Sequence, residues 1–140
     1  MKVYSSKYSQ IPGSSYEEVM PVARKEFNKI RNRTKRRPYV RSKYFKGDKI
    51  FLLTFWDHLA KKHRNDKMYR LKLYNCAIDL LRNSTFTPDT KFRKDDLNIM
   101  LHRFEGKSND KINFYVQVKQ DKRTGRKDFM SVFPARKSRK

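Results

Sequence analysis

The hydrophobic pattern of this chain changes period once, near Asn83, and that change limits the folds open to it. Before it, apolar residues recur at the spacing of helices buried along one side. After it, they alternate, as in strands buried on one face. Ser15 stands where a helix N-cap belongs, with Glu17 and Glu18 in the first turn, where free N–H groups favour carboxylates. Val19, Val22 with Ala23, Phe27 and Ile30 follow as one stripe, and Pro21 falls about where a first turn still tolerates it. The helix runs into the basic cluster Arg31 to Arg37 and stops before Pro38. The polar stretch ahead of it, Met1 to Ser15, reads as a loose arm.

Tyr39 to Phe45 is rich in strand formers and reads as a candidate strand. Asp48 is expected to cap the next helix, with Ile50, Leu52, Leu53, Phe55, Trp56 and Leu59 on it. Asn65 or Asp66 caps another, whose stripe is Met68 and Tyr69, Leu73, Cys76 and Ala77, then Leu80 and Leu81. These two helices read as an antiparallel hairpin. After a polar connection, Ser84 to Asp96, Ile99 and Leu101 share one strand face, and Met100, His102 and Phe104 the other. Phe114, Val116 and Val118 turn inward, leaving Tyr115, Gln117 and Lys119 outward. A basic hairpin loop, Gln120 to Lys127, leads to a last strand at Phe129 to Phe133. The expected fold is α+β: an N-terminal helix and a helical hairpin packed on a small antiparallel sheet of three to four strands.

Charge narrows the partners. Lys and Arg number 36 against 14 Asp and Glu, a net of +22. A surface so basic repels itself unless something anionic lies against it, and cations mixed with aromatics along the whole chain favour nucleic acid, RNA first, over a membrane. No run approaches the length of a membrane span. The single cysteine, Cys76, sits on an apolar stripe and suits a reducing, cytoplasmic setting. The chain has no zinc spacing, Walker loop or dinucleotide glycine motif, so no metal or cofactor is expected. Asp57-His58 reads as an ordinary pair on a helix surface, since neighbours on a helix diverge and rarely share an ion. Carboxylates are too scarce to hold two catalytic metals.

The outward sheet face is expected to display His102, Tyr115, Gln117, Lys119 and Ser131, with Arg103 beside His102. Metal-free RNA cleavage needs a base for the 2′-hydroxyl, an acid for the leaving oxygen and cations for the phosphate. His102 titrates nearest neutrality and is the candidate centre. Arg31, Arg33, Lys35, Arg36, Arg37, Arg41, Lys122, Arg123, Arg126 and Lys127 are the candidate phosphate contacts. The same surface also describes an RNA or DNA binder with no chemistry, or a regulator whose target is an acidic protein.

The strings His102-Arg103-Phe104-Glu105-Gly106, Phe114 to Lys119, Gly125-Arg126-Lys127 and Phe129 to Pro134 resemble the barnase–EndoU–colicin–RelE (BECR) superfamily, in its phage- and mobile-element-associated RNase-like members. Tyr39 to Phe45 and Phe55 to Leu59 look similar to that group as well. The resemblance covers residues 38–134, making 1–37 an added basic arm and helix and 135–140 a basic tail. It implies a metal-independent, toxin-type endoribonuclease that cuts by transesterification, with an antitoxin or immunity protein as a further partner. On that resemblance His102 is the base or acid, Arg103, Lys119 and Arg126 clamp phosphate, and Ser131 and Tyr115 position it.

Overall fold

In the computed structural model, which describes residues 2–135, the chain runs β1 (Tyr4–Ser5), α1 (Tyr16–Arg33), β2 (Tyr39–Arg41), β3 (Lys49–Phe51), α2 (Leu53–Leu59), α3 (Arg64–Lys72), α4 (Tyr74–Asn83), β4 (Asp89–Phe92), β5 (Ile99–Lys107), β6 (Asn113–Asp121) and β7 (Lys127–Pro134). The basic tail expected at 135–140 lies outside the described residues apart from Ala135. Ser15 caps α1 as its position predicts, accepting from the Glu18 N–H while its hydroxyl donates to the Glu18 carboxylate. Val19, Ala23, Phe27 and Ile30 are buried, and Val22 turns to solvent. Pro21 lies past the first turn, where its missing N–H leaves the Glu17 carbonyl without its helical donor.

The expected small antiparallel sheet is corrected to a seven-stranded, mixed, curled one shaped like half a barrel, while the α+β class holds. Its order is β1-β5-β6-β7-β3-β2, with β4 also on β5, and the β1–β5 and β3–β7 pairs are parallel. Four helices accompany it. Asp48 caps no helix: the next residues form β3, and the Asp48 carboxylate pairs with Lys127 at 2.9 Å. The last predicted helix divides at the fully buried Leu73 into α3 and α4. The polar connection after Asn83 contains β4, exposed at every residue and so without the alternation that marks a half-buried strand.

The N-terminal segment is not loose. Tyr4 and Ser5 pair with Gly106 and Lys107, and Ile11 is buried in the core. The buried carboxylate of Asp79 on α4 accepts from the Tyr4 hydroxyl (2.9 Å), the Ser6 hydroxyl (2.8 Å), the Lys7 N–H (3.2 Å) and the Asn83 amide (2.8 Å). Such a set satisfies a charge that burial would otherwise make costly. The same bond and burial push the Tyr4 hydroxyl up to about 12, desolvation being the larger cause.

Phe104, Phe114, Val116, Val118, Phe129 and Val132 make the sheet's core face and share one cluster with Phe27 of α1, Phe55 of α2 and Tyr74 of α4. Phe55 stacks on Phe129 with centroids 4.7 Å apart. Strand β3 reaches β7 only through Ile50 opposite Lys127 and Phe51 opposite Asp128. Beyond that point α2 and α3 pack along β7. No helix among the described residues is long and apolar enough to cross a membrane.

Candidate nucleic-acid cleft

Strand register decides which side chains meet. His102 pairs with Val118, not with an outward residue, so it shares the core face with Phe104 and Val116. The expected outward placement of His102 is therefore one residue out of register, and a one-residue slip moves every side chain of a strand to the other face. His102 is 5% exposed. Its Nδ1 lies 2.8 Å from the Thr90 hydroxyl and its Nε2 2.8 Å from the Gln120 amide oxygen. An amide oxygen only accepts, so the ring proton sits on Nε2 and Nδ1 accepts from Thr90. Phe45 closes the side of the ring at 5.1 Å. Burial, reinforced by Lys127 and opposed by the Gln120 bond, holds the imidazole below its ordinary 6.5. Both nitrogens are engaged, so His102 acts as a buried crosslink between β4, β5 and β6.

The other residues expected on the outer face are there. Arg103, Gln117 and Ser131 stand opposite one another on β5, β6 and β7, forming one rung across the sheet. A β-bulge makes this possible: Val118 pairs with Phe129 but Gln117 with Ser131, leaving Met130 as the extra residue. Without it Ser131 would face the core; with it Ser131 and Phe133 turn outward while Phe129 and Val132 stay in. Tyr115 and Phe133 occupy the next rung, and the Arg103 guanidinium lies over both rings at 5.3 and 5.5 Å. Lys119 occupies the rung on the other side, opposite Leu101 and Asp128.

The remaining basic residues divide. Arg31 and Arg33 end α1, and Lys35, Arg36 and Arg37 lie exposed between it and β2. Arg41 is exposed on β2 and donates to the Gly47 carbonyl at 3.0 Å. Lys122 is exposed and covers the Phe92 ring. Arg123 is tied to Asp121, and Arg126 to Asp128. Lys127 is 6% exposed and engaged by the exposed carboxylate of Asp48 and by the Gly125 carbonyl, so it is corrected from a phosphate contact to a buried cation that is already paired. Its side chain points inward because its partner Gln120 does.

The curl of the sheet brings α2 and α3 against the Arg103–Gln117–Ser131 rung and leaves a cleft of about 260 Å³ between them. Three functional groups that the sequence left unassigned enter here: His58, Lys62 and Arg70. Phe55, His58 and Leu59 lie along one side of α2, so packing of Phe55 and Leu59 into the core aims His58 at the cleft, and Lys62 joins it from the turn that follows the helix, where its N–H donates to the Leu59 carbonyl. Arg70 is fixed from two directions, donating to Asp66 at 3.0 Å and to the Val132 carbonyl at 3.5 Å, with its guanidinium over Phe133. The His58 imidazole has no hydrogen-bond partner among the described residues and is partly open to solvent. Partial burial comes first, then Lys61, Lys119 and Lys62; together they hold it below 6.5, against the weaker pull of Asp57. It is therefore neutral and able to accept a proton at neutral pH.

No Asp or Glu among the described residues lines this cleft. Among the described residues no three His, Cys, Asp or Glu side chains gather into a metal-ligand set. Cys76 is buried, its thiol pushed up to about 11 mainly by burial, and it donates to the Tyr8 carbonyl. A smaller extension of about 110 Å³ continues past Arg103 and Gln117 to Asp89, Lys91 and Leu101. The arrangement offers one neutral imidazole, three fixed or facing cations, a hydroxyl and an amide over an aromatic floor. No known family model, curated protein or solved structure matches this chain.

Proposed function

We propose that this protein binds RNA in the cleft between α2, α3 and the outer sheet face, and cleaves it there without a metal ion. The observation that carries the reading is the convergence of His58, Lys62, Arg70 and Arg103 on the Gln117–Ser131 rung, where cations outnumber carboxylates among the described lining residues. In this reading His58 takes the proton of a 2′-hydroxyl. The 2′-oxygen attacks phosphorus, and the bond from phosphorus to the 5′-oxygen breaks. The leaving oxygen takes a proton from the Lys62 ammonium, which recovers one from solvent. Arg70 and Arg103 steady the charge on the phosphoryl oxygens, and Ser131 and Gln117 orient them. Bases stack on Tyr115 and Phe133. The products are a 2′,3′-cyclic phosphate and a 5′-hydroxyl. The resemblance of residues 38–134 to BECR RNases points to the same chemistry, with His58 in place of His102.

One observation favours binding without chemistry. Among the described residues His58 is the one histidine lining the cleft, so acid and base cannot both be imidazoles. Incubation of mixed RNA with excess chelator decides. The expected outcome is cleavage with cyclic phosphate ends by the wild type and a rate about 100-fold or more lower for His58→Ala, the usual scale of a lost general base. RNA bound by both proteins and cut by neither would support the binder and overturn the nuclease.

A further inference from the structure

A second basic surface lies on the helical side of the molecule, away from the cleft. One depression is lined by Lys7, Lys29 and Arg33 together with Arg82 and Asn83. Another is lined by Arg41, Lys43 and Lys46 and again by Arg82 and Asn83. The two meet at Arg82 and Asn83, and the bond from the Lys43 N–H to the Arg82 carbonyl (3.2 Å) fixes the join between α4 and the β2–β3 turn. The result is a continuous groove from the N-terminal segment, across α1 and α4, to that turn.

Most of its cations are unpaired. Some cations elsewhere sit against carboxylates, as Arg64 does with Glu17 and Arg93 with Asp95. Among the described residues that line the groove, only Glu26 and Asp79 are acidic. Glu26 is spent on Lys29 at 3.5 Å, and Asp79 is buried with donors of its own. Among the described residues the charged side-chain nitrogens of Lys7, Arg33, Lys43, Lys46 and Arg82 have no carboxylate oxygen within 4.0 Å. Keeping that many like charges along one groove works against folding, and a polyphosphate laid in it relieves the repulsion. Arg31 in the last turn of α1, and Lys35, Arg36 and Arg37 just after it, are exposed as well.

We infer that this groove is a second RNA-backbone site, so that the substrate is a folded RNA that reaches both sides of the protein rather than a short single strand. The inference rests on the RNA-binding reading of the cleft. It differs from it in assigning a separate surface, read by charge and not by bases. The cleft and the groove share no lining residue among those described, so one RNA molecule fills both only by bending or by pairing with itself.

The test uses the full chain, a fluorescent RNA hairpin of some twenty base pairs with a 2′-deoxy cleavage-resistant loop, and a 2′-deoxy tetranucleotide. The variant is Lys7→Gln, Lys43→Gln, Arg82→Gln, whose parent side chains make no side-chain hydrogen bond and are exposed. Its thermal unfolding is checked against the wild type. Expected is at least ten-fold weaker hairpin binding, a salt slope lower by about two to three as three phosphate contacts are lost, and unchanged tetranucleotide affinity. An unchanged hairpin affinity and slope in the folded variant overturns the groove. So does equal weakening toward both RNAs, or groove-dependent binding of polyglutamate as tight as that of the hairpin, which would make the occupant an acidic protein. If the wild type binds neither RNA, the cleft reading fails, and the groove reading with it.

Discussion

His102 and His58 serve opposite sides of the same sheet, and the contrast between them separates framework from function. His102 faces the core, with both ring nitrogens bonded and an aromatic ring against it. His58 faces the cleft, unbonded, among cations that keep it neutral. Both are held below 6.5, and in both burial is the leading cause. A lowered imidazole is thus not in itself a sign of chemistry. What differs is whether a proton or a phosphate can reach the ring. The same division runs through the rungs around them: Val116, Val118, Phe129 and Val132 are fully buried, whereas Arg103, Gln117 and Ser131 keep their polar ends on the cleft side.

If that division is right, truncation on the two faces has unequal effects on stability. Phe129→Ala should cost about 3–5 kcal/mol, because it removes a ring stacked on Phe55 inside a packed cluster. Ser131→Ala, two residues along but turned outward by the bulge, should stay within about 0.5 kcal/mol. Urea unfolding of both variants checks this, and comparable losses would erase the distinction between the faces.

His102→Ala should cost about 1–3 kcal/mol, since it leaves Gln120 without its donor beside a new void. Its RNA cleavage per folded molecule should equal that of the wild type. A loss of rate with the fold intact would return the catalytic role to His102.

The smallest effect is one of pH. The folded His102 binds its proton less readily than the unfolded chain, whose imidazole titrates near 6.5. Below 6.5 the unfolded state takes up the proton first, so this contribution to stability is full above 6.5 and is lost as pH falls through the lower folded value. Urea midpoints at pH 7.5 and 5.5 should therefore differ more for the wild type than for His102→Gln. His58 contributes equally to both proteins and drops out of the comparison.

Much of the helical half was legible because local rules govern it. Ser15 with Glu18 specifies a cap, and Val19, Ala23, Phe27 and Ile30 leave one reading for α1. The alternation from Phe114 to Val118 specifies β6 in the same way. Strand β5 misleads because Met100, Leu101 and Phe104 put apolar residues on both faces, and a polar His102 reads as outward when its partners are unknown. Those partners, Thr90 and Gln120, lie 12 and 18 residues away. The sheet was underestimated where strands are short or wholly exposed, as in β1, β3 and β4. The cleft was least legible. His58, Arg70, Arg103 and Ser131 come from α2, α3, β5 and β7, and only the curl of the sheet and one bulge bring them to a common surface.

The central claim is that the outer-face cleft, and not the buried histidine, receives RNA. It is tested most directly by following both imidazoles by NMR while adding a 2′-deoxy, cleavage-resistant RNA oligonucleotide. The account predicts that the His58 resonances shift and that its titration midpoint rises as a phosphate comes near, while those of His102 stay where they are. Shifts at His102 with His58 unmoved would contradict it.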